Sequence, residues 1–163
     1  MLYTTTVTTP LGTFCLSADD DGLTAIILPG TDKSSTEEPV NLRPPSLSLE
    51  RAARQVLQYC EGKRTEFDLP LSVQGTHFQQ QVWNIILRIP YGQTMIYGEI
   101  ARQLGGIGKA RAVGGAAHAN PLPLVIPCHR VISSDGDLTG FAGGIGLKKR
   151  LLLLEKNILQ NQE

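Results

Sequence analysis

Leu104-Gly105-Gly106-Ile107-Gly108-Lys109-Ala110-Arg111-Ala112-Val113-Gly114-Gly115-Ala116-Ala117-His118 decides how this chain folds. The glycines at its start turn the chain between two short helices, one from Thr94 as N-cap to Leu104 and one over residues 109–119. Two short helices around a tight glycine turn make a helix-turn-helix. The second helix is unusual, because the Gly114-Gly115 pair costs it about 2 kcal/mol relative to alanine. Close approach of another backbone would offset that cost, and the partner is either a packed helix or a nucleic acid groove. A helix with so little side-chain bulk fits a narrow minor groove with Arg111 projecting into it.

Upstream, Thr76 and Gln79 stand at the spacing of a capping box. Phe78, Val82, Ile85 and Ile89 follow at intervals of four, three and four, which predicts an amphipathic helix closed by Pro90-Tyr91-Gly92. Downstream, Asn120-Pro121-Leu122-Pro123 ends the glycine-bearing helix and leads to Pro127-Cys128-His129-Arg130-Val131, with prolines on both sides as a stiff mount. Ser133-Ser134-Asp135-Gly136-Asp137 reads as a hairpin-type turn, residues 140–144 as a bent glycine loop, and residues 146–157 as a final helix. Toward the N-terminus, residues 3–8, 12–18 and 23–28 form a strand meander. A loop rich in Pro, Ser, Thr and Glu follows over residues 29–45. Ser46 or Ser48 then caps a helix that ends near Gly62, with Ala52, Ala53, Val56, Leu57 and Cys60 on one side. After a short apolar segment at residues 67–73 the pattern changes, which divides the chain into 1–74 and 75–163.

The chain has 163 residues, 41% of them hydrophobic, enough for one good core or two small ones. Its 15 basic and 15 acidic residues cancel, but not evenly. Residues 1–75 hold 6 Lys/Arg against 10 Asp/Glu and residues 76–163 hold 9 against 5, giving −4 and +4. That asymmetry points to a polyanion meeting the C-terminal half, with chance partition as the plainer explanation. Met1-Leu2-Tyr3-Thr4 carries no basic segment leading into an apolar run, and no aliphatic stretch is long enough to span a bilayer. The expectation is a soluble cytoplasmic protein. Cys15, Cys60 and Cys128 make an odd count that suits a reducing compartment, and Cys15 and Cys60 are expected to be packed. His77, His118 and His129 show no zinc-ligand spacing, so no metal is expected.

Cys128 is the most reactive group the sequence offers. A neighbouring imidazole and guanidinium favour the thiolate, the nucleophilic form of sulfur. In an extended segment Cys128 and His129 would point to opposite faces, so a water or a sharp bend has to connect them. A carboxylate is then needed to fix the histidine tautomer. Glu155 is the best placed, unless it pairs on the helix surface with Lys156 or Lys148.

Residues 126–132, together with Ala110-Arg111-Ala112-Val113-Gly114-Gly115-Ala116, Asn120-Pro121 and Phe78-Gln79-Gln80-Gln81-Val82-Trp83, resemble the O6-alkylguanine-DNA alkyltransferases. The likeness covers nearly all of residues 76–157 and, more loosely, the N-terminal region. It implies an α/β (α+β) protein, with an RNase-H-like N-terminal domain and a winged-helix or helix-turn-helix DNA-binding domain. The implied substrate is alkylated guanine in duplex DNA, flipped out through the minor groove while Arg111 fills its place in the stack. By the same resemblance Cys128 accepts the alkyl group, His129 removes the thiol proton through a water, Glu155 orients His129, and Tyr97 protonates guanine N3 and lies near the 3′ phosphate. Asn120 braces the turn that carries Cys128. Ala112 and Gly115 face the DNA, Pro123 walls the base pocket, and the carbonyls of Cys128 and Val131 accept from the exocyclic amine. Ala142 and Gly143 line the pocket near O6. Trp83 is expected in the core and Arg130 at the domain interface. The resemblance further implies a single transfer per molecule, no cofactor, and a monomer.

The chain departs from the pattern at four places. Ile96 stands where a serine commonly precedes the tyrosine, Ala142 and Phe141 stand where serine and tyrosine are frequent, and His118 stands where an arginine contacts DNA. Three other functions compete. A non-catalytic protein that binds alkylated DNA would carry tryptophan in place of Cys128. A sequence-reading regulator would need polar side chains where this helix has Ala and Gly. A cysteine hydrolase would need a nucleophile and base apart in sequence.

Overall fold

The computed structural model describes residues 2–30, 48–136 and 144–161. The chain forms two compact units, Met1–Gln74 and Gly75–Glu163.

The first unit is built on an antiparallel meander of β1 (Tyr3–Thr9), β2 (Gly12–Ala18) and β3 (Leu23–Ile27), in sequential order. Alternation in β2 sends Phe14, Leu16 and Ala18 inward, where α1 (Ser48–Cys60) covers them. The buried stripe of α1 is Leu49, Ala52, Val56, Tyr59 and Cys60, rotated from the expected one. Tyr59, large and fully buried against the Phe67 ring, takes the central place, and Ala53 and Leu57 move to the margin. Gln55 is also buried because its amide makes two bonds with the Asp68 backbone, accepting from its N–H at 2.9 Å and donating to its carbonyl at 3.1 Å. That amide pair sets the returning chain beside β3, where Leu23 bridges Leu71 in parallel.

In the second unit the capping box of Thr76 and Gln79 starts α2 (His77–Leu87) as expected. Its buried residues are Val82, Trp83 and Ile86, with Ile89 just beyond, so the apolar face is turned from the expected stripe toward Trp83. The indole explains this: Nε1 donates to the Ala116 carbonyl at 2.9 Å, near the end of α4 (Ala110–His118). A carbonyl in a helix's last turn lacks an intrahelical donor, and Trp83 supplies it. Trp83→Phe is therefore expected to cost about 1–3 kcal/mol, through a lost hydrogen bond and a small void. Urea denaturation would read that loss.

Thr94 is not an N-cap. Met95–Ile96 form β4, a two-residue strand paired in parallel with β5 (Val131–Ile132), so α3 (Tyr97–Gln103) starts only after them and without a side-chain cap. Gly105 and Gly106, at φ +122° and +142°, turn the chain from α3 into a short 3-10 turn at Ile107–Lys109 that continues as α4. The turn at Ser133 closes with Gly136 N–H on the Ser133 carbonyl at 3.0 Å, just after β5, which pairs in parallel with β4. Asp137 lies outside the described residues. The last helix, α5 (Gly144–Asn161), is longer than expected at both ends. Among the described residues no helix is long and apolar enough to cross a membrane.

Candidate active site

Asn120 organises the turn that delivers the cysteine. Its Oδ1 accepts from the Leu122 N–H at 2.9 Å and its Nδ2 donates to the Ile126 carbonyl at 2.8 Å, so one side chain ties both ends of the turn. Between them the Ile126 N–H reaches the Leu122 carbonyl at 2.8 Å, and Leu124 within this turn takes φ +76°. A buried leucine in that left-handed region is strained, and the surrounding bonds hold it there. Pro127, at φ −78° and ψ 66°, then makes an inverse γ-turn that Cys128 N–H closes on the Ile126 carbonyl at 2.7 Å. Cys128–Arg130 follow as one turn of 3-10 helix. The motif is thus bent rather than extended, which removes the opposed side chains expected of a strand.

His129 and Glu155 are both fully buried, and their side chains meet at 2.7 Å between Nε2 and Oε2. The same carboxylate accepts a fork from Arg130, at 2.9 Å from Nε and 2.8 Å from Nη2, and the Gly92 N–H at 3.0 Å. Arg130 also donates to the Ile89 carbonyl at 2.7 Å and lies 5.5 Å from the centre of the Tyr91 ring. All these partners belong to the second unit, and Arg130 is not left at the surface. Nor does Glu155 pair with Lys156 or Lys148 on a surface: α5 turns Lys148, Leu151 and Glu155 to its buried side. Gly92 is required where it stands. It takes φ +81° in the turn after Pro90, and a Cβ there would run into the Leu159 side chain.

Charge follows from this geometry. Burial alone would raise the Glu155 carboxyl, but the bonds from His129 and Arg130 outweigh it and hold it down at about 2. Burial pushes His129 below its ordinary value, against the pull of Glu155, so the imidazole is neutral at pH 7. Since Glu155 is then an anion, Nε2 must carry the hydrogen, which makes Nδ1 the basic nitrogen.

Burial also pushes the Cys128 thiol up, while a hydrogen bond from the Asn120 side chain and the charge of Lys148 work the other way. The expectation that adjacent His129 and Arg130 favour the thiolate is therefore corrected. His129 is neutral and Arg130 is committed to Glu155, so ionisation has to be coupled to proton removal. The Tyr97 hydroxyl is pushed up, first by burial and then by the Cys128 sulfur.

Cys128, His129, Glu155, Asn120 and Tyr97 thus come together. Val131 is buried one residue beyond the motif, and Pro123 is buried within the turn that Asn120 closes. Arg111, Ala112, Gly115 and His118 form an exposed face of α4. A Cβ built at Gly114 or Gly115 meets nothing within 4 Å among the described residues, so helix packing does not account for the glycine pair there. Ala142 and Gly143, like Phe141, lie outside the described residues. Sequence reasoning missed the burial of Lys148, whose seven-residue spacing from Glu155 was its one signal. It also missed the contacts of Ile89, Tyr91 and Gly92, for which the sequence carried none. None of the three cysteines forms a disulfide, and no three His, Cys, Asp or Glu among the described residues are grouped to hold a metal.

Fold and site define a class: a mixed α/β protein whose helical unit holds a buried cysteine backed by a histidine–carboxylate pair. Two family profiles match, the ribonuclease-like domain of 6-O-methylguanine DNA methyltransferase over residues 1–73 and the DNA binding domain of the same family over residues 77–157. The chain is 43% identical over 159 residues to a methylated-DNA–protein-cysteine methyltransferase of Mycobacterium tuberculosis, covering 96% of this chain and 94% of that protein. It is 42% identical over 160 residues to the protein of that name from Methanosarcina barkeri, covering 98% and 100%. The crystal structure of Mycobacterium tuberculosis OGT in complex with DNA superposes with a TM-score of 0.81 at 41% identity, covering 95% and 93%. The chain belongs to the 6-O-methylguanine DNA methyltransferase family.

Proposed function

We propose that this protein repairs DNA by direct reversal of damage, moving the alkyl group of O6-alkylguanine irreversibly to Cys128. The observation that carries this reading is the seat of Cys128 beside His129 and Glu155. Neutral His129 takes the thiol proton at Nδ1 through a water, while Glu155 holds Nε2–H and steadies the imidazolium. Sulfur attacks the alkyl carbon in line, so an S–C bond forms as the C–O6 bond breaks. Negative charge moving into the leaving guanine is met by the Tyr97 hydroxyl, which gives its proton to N3 and recovers one from His129. The thioether offers water no leaving group, and each molecule reacts once without a cofactor.

The flipped guanine is held by carbonyls of Cys128 and Val131 and walled by Pro123. The substrate is duplex DNA entered through the minor groove by a monomer. Arg111 fills the vacated stack, and Ala112 and Gly115 let α4 sit close to the backbone. The open space beside Gly115 supports this reading and yields an opposed pair of effects. Gly115→Ala is expected to stabilise the fold by up to about 1 kcal/mol. Gly115→Leu should keep the fold but weaken duplex binding on the order of tenfold or more, in a fluorescence anisotropy titration.

Intact-mass measurement after incubation with an O6-methylguanine duplex tests the proposal. One methyl should appear per molecule, map to Cys128 and never turn over. Tight binding without a mass change would favour the non-catalytic lesion binder, repeated turnover a hydrolase, and preference for one undamaged sequence a regulator.

A further inference from the structure

The chain doubles back between Pro90 and Gln93, where the Gln93 N–H meets the Pro90 carbonyl at 3.0 Å and Gly92 takes φ +81°. That bond, with a positive φ at the third residue, is the signature of a type II turn. Its central peptide carries the Gly92 N–H, which donates to Glu155 Oε1 at 3.0 Å. The residue on the other side of that peptide, Tyr91, is half-buried, and the Arg130 guanidinium lies over its ring, 5.5 Å from the centre. One turn thus touches both members of the Arg130–Glu155 pair, the acid through a backbone dipole and the base through an aromatic face. Arg130 and His129 share Oε2 of that acid, at 2.8 Å and 2.7 Å. The more firmly the guanidinium occupies this oxygen, the less negative charge is left to draw a second proton onto the imidazole.

We propose that Tyr91 is a positioning residue of this site: the face of its ring fixes the Arg130 guanidinium in its fork on Glu155 and so keeps Nδ1 of His129 open to accept a proton. That this proton comes from Cys128 during alkyl transfer rests on the function proposed above; the hold on Arg130 does not. The negative charge on an aromatic face attracts a cation, and more strongly where water is excluded. Burial, with the charge of Glu155, pushes the Tyr91 hydroxyl up to about 12, so the ring stays a neutral phenol at physiological pH. Arg130 has one further anchor, the Ile89 carbonyl on Nη1 at 2.7 Å, which fixes the tip of the guanidinium while the ring supports its plane. Among the described residues, the charged and titratable groups acting on His129 are Glu155 and Lys148 from α5 and Arg130 from its own turn. Tyr91 acts on Glu155 and Arg130 from the turn at 90–93, and Tyr97 from α3 faces Cys128.

In the full-length protein Tyr91 is replaced by Phe, by difluorophenylalanine and by pentafluorophenylalanine, a series that keeps the shape of the ring while draining and then reversing the negative charge on its face. Protonation of His129 is followed by nitrogen-15 NMR, and methyl transfer from an O6-methylguanine duplex is measured against pH. Tyr91→Phe should leave the His129 midpoint near that of the wild type. Pentafluorophenylalanine should raise it by about half to one pH unit, with the difluoro ring between. On the acid limb of the pH profile transfer should then fall about three- to tenfold, and it should recover as pH rises. Equal slowing at every pH with an unmoved midpoint would mean packing alone and overturn the proposal, as would an imidazole that stays neutral in both proteins wherever they are folded. If the pentafluoro protein does not fold, the difluoro protein decides by the same criterion. A raised midpoint in a protein that never accepts methyl would sink the repair reading and leave the hold on Arg130 standing.

Discussion

Cys128→Ser is expected to leave an O6-methylguanine duplex chemically unchanged while binding it as the wild type does. A serine hydroxyl ionises far less readily than a thiol, and neutral His129, with its basicity lowered by burial, is too weak to compensate. The transfer rate should drop by on the order of 10⁴-fold or more, as when other enzymes lose a nucleophile. Stability should change little, because the substitution is nearly isosteric and Asn120 remains as a hydrogen-bond partner. Intact mass and anisotropy on the same sample separate the two effects. Loss of binding together with loss of transfer would mean that Cys128 serves the shape of the site rather than its chemistry.

Glu155→Ala should be the most destabilising single change in the second unit. The carboxylate accepts from His129, from the Arg130 fork and from the Gly92 N–H, and its removal strands a buried guanidinium and an imidazole together. Breaking a buried pair from one side typically costs about 3–5 kcal/mol. Glu155→Gln should cost less, since it keeps the shape, yet still leave Arg130 without an anion and slow transfer.

The same carboxylate dictates how stability varies with pH. With Glu155 held at about 2 in the folded protein, against 4.5 ordinarily, its contribution is fully present above about 4.5 and is lost as pH falls through about 2. That shift corresponds to about 3 kcal/mol. His129, pushed below its ordinary 6.5, acts in the same direction and begins to withdraw support once pH falls below that value. Burial raises the Cys128 thiol, so its contribution is present at low pH and is lost on the alkaline side. Urea midpoints between pH 2 and 7 should therefore decline in two stages for the wild type. In Glu155→Ala the lower stage should be missing.

The sequence made the chemistry of the site more legible than its charge. Cys128, His129 and Glu155 could be named as candidates because cysteine and histidine are scarce in this chain and few acids lie in its C-terminal half. The capping box at Thr76 and Gln79 could be placed because both halves of its reciprocal bond lie within one turn. The state of the thiol could not be read, since it depends on burial and on a commitment of Arg130 that arises from residues 89–92 and 155, far apart along the chain. Thr94 was misread as a cap because a two-residue strand leaves almost no pattern; its pairing with residues 131–132 exists only in three dimensions. In α1 and α2 the helices were legible, but which face turned inward was decided by the large rings of Tyr59 and Trp83 rather than by the count of aliphatic residues.

The position of Glu155 also bears on the order of synthesis. It reaches back 26 residues to His129 and 63 to Gly92, so the carboxylate is translated well after every group it organises. Contacts of such separation form late, after the loops between them have closed. A ribosome-bound intermediate ending before residue 155 would hold the cysteine and His129 without the carboxylate that His129 meets. On the function proposed above, the thiol is armed only after residue 155 has been made and packed, which spares a shorter nascent chain from spending its sulfur too early.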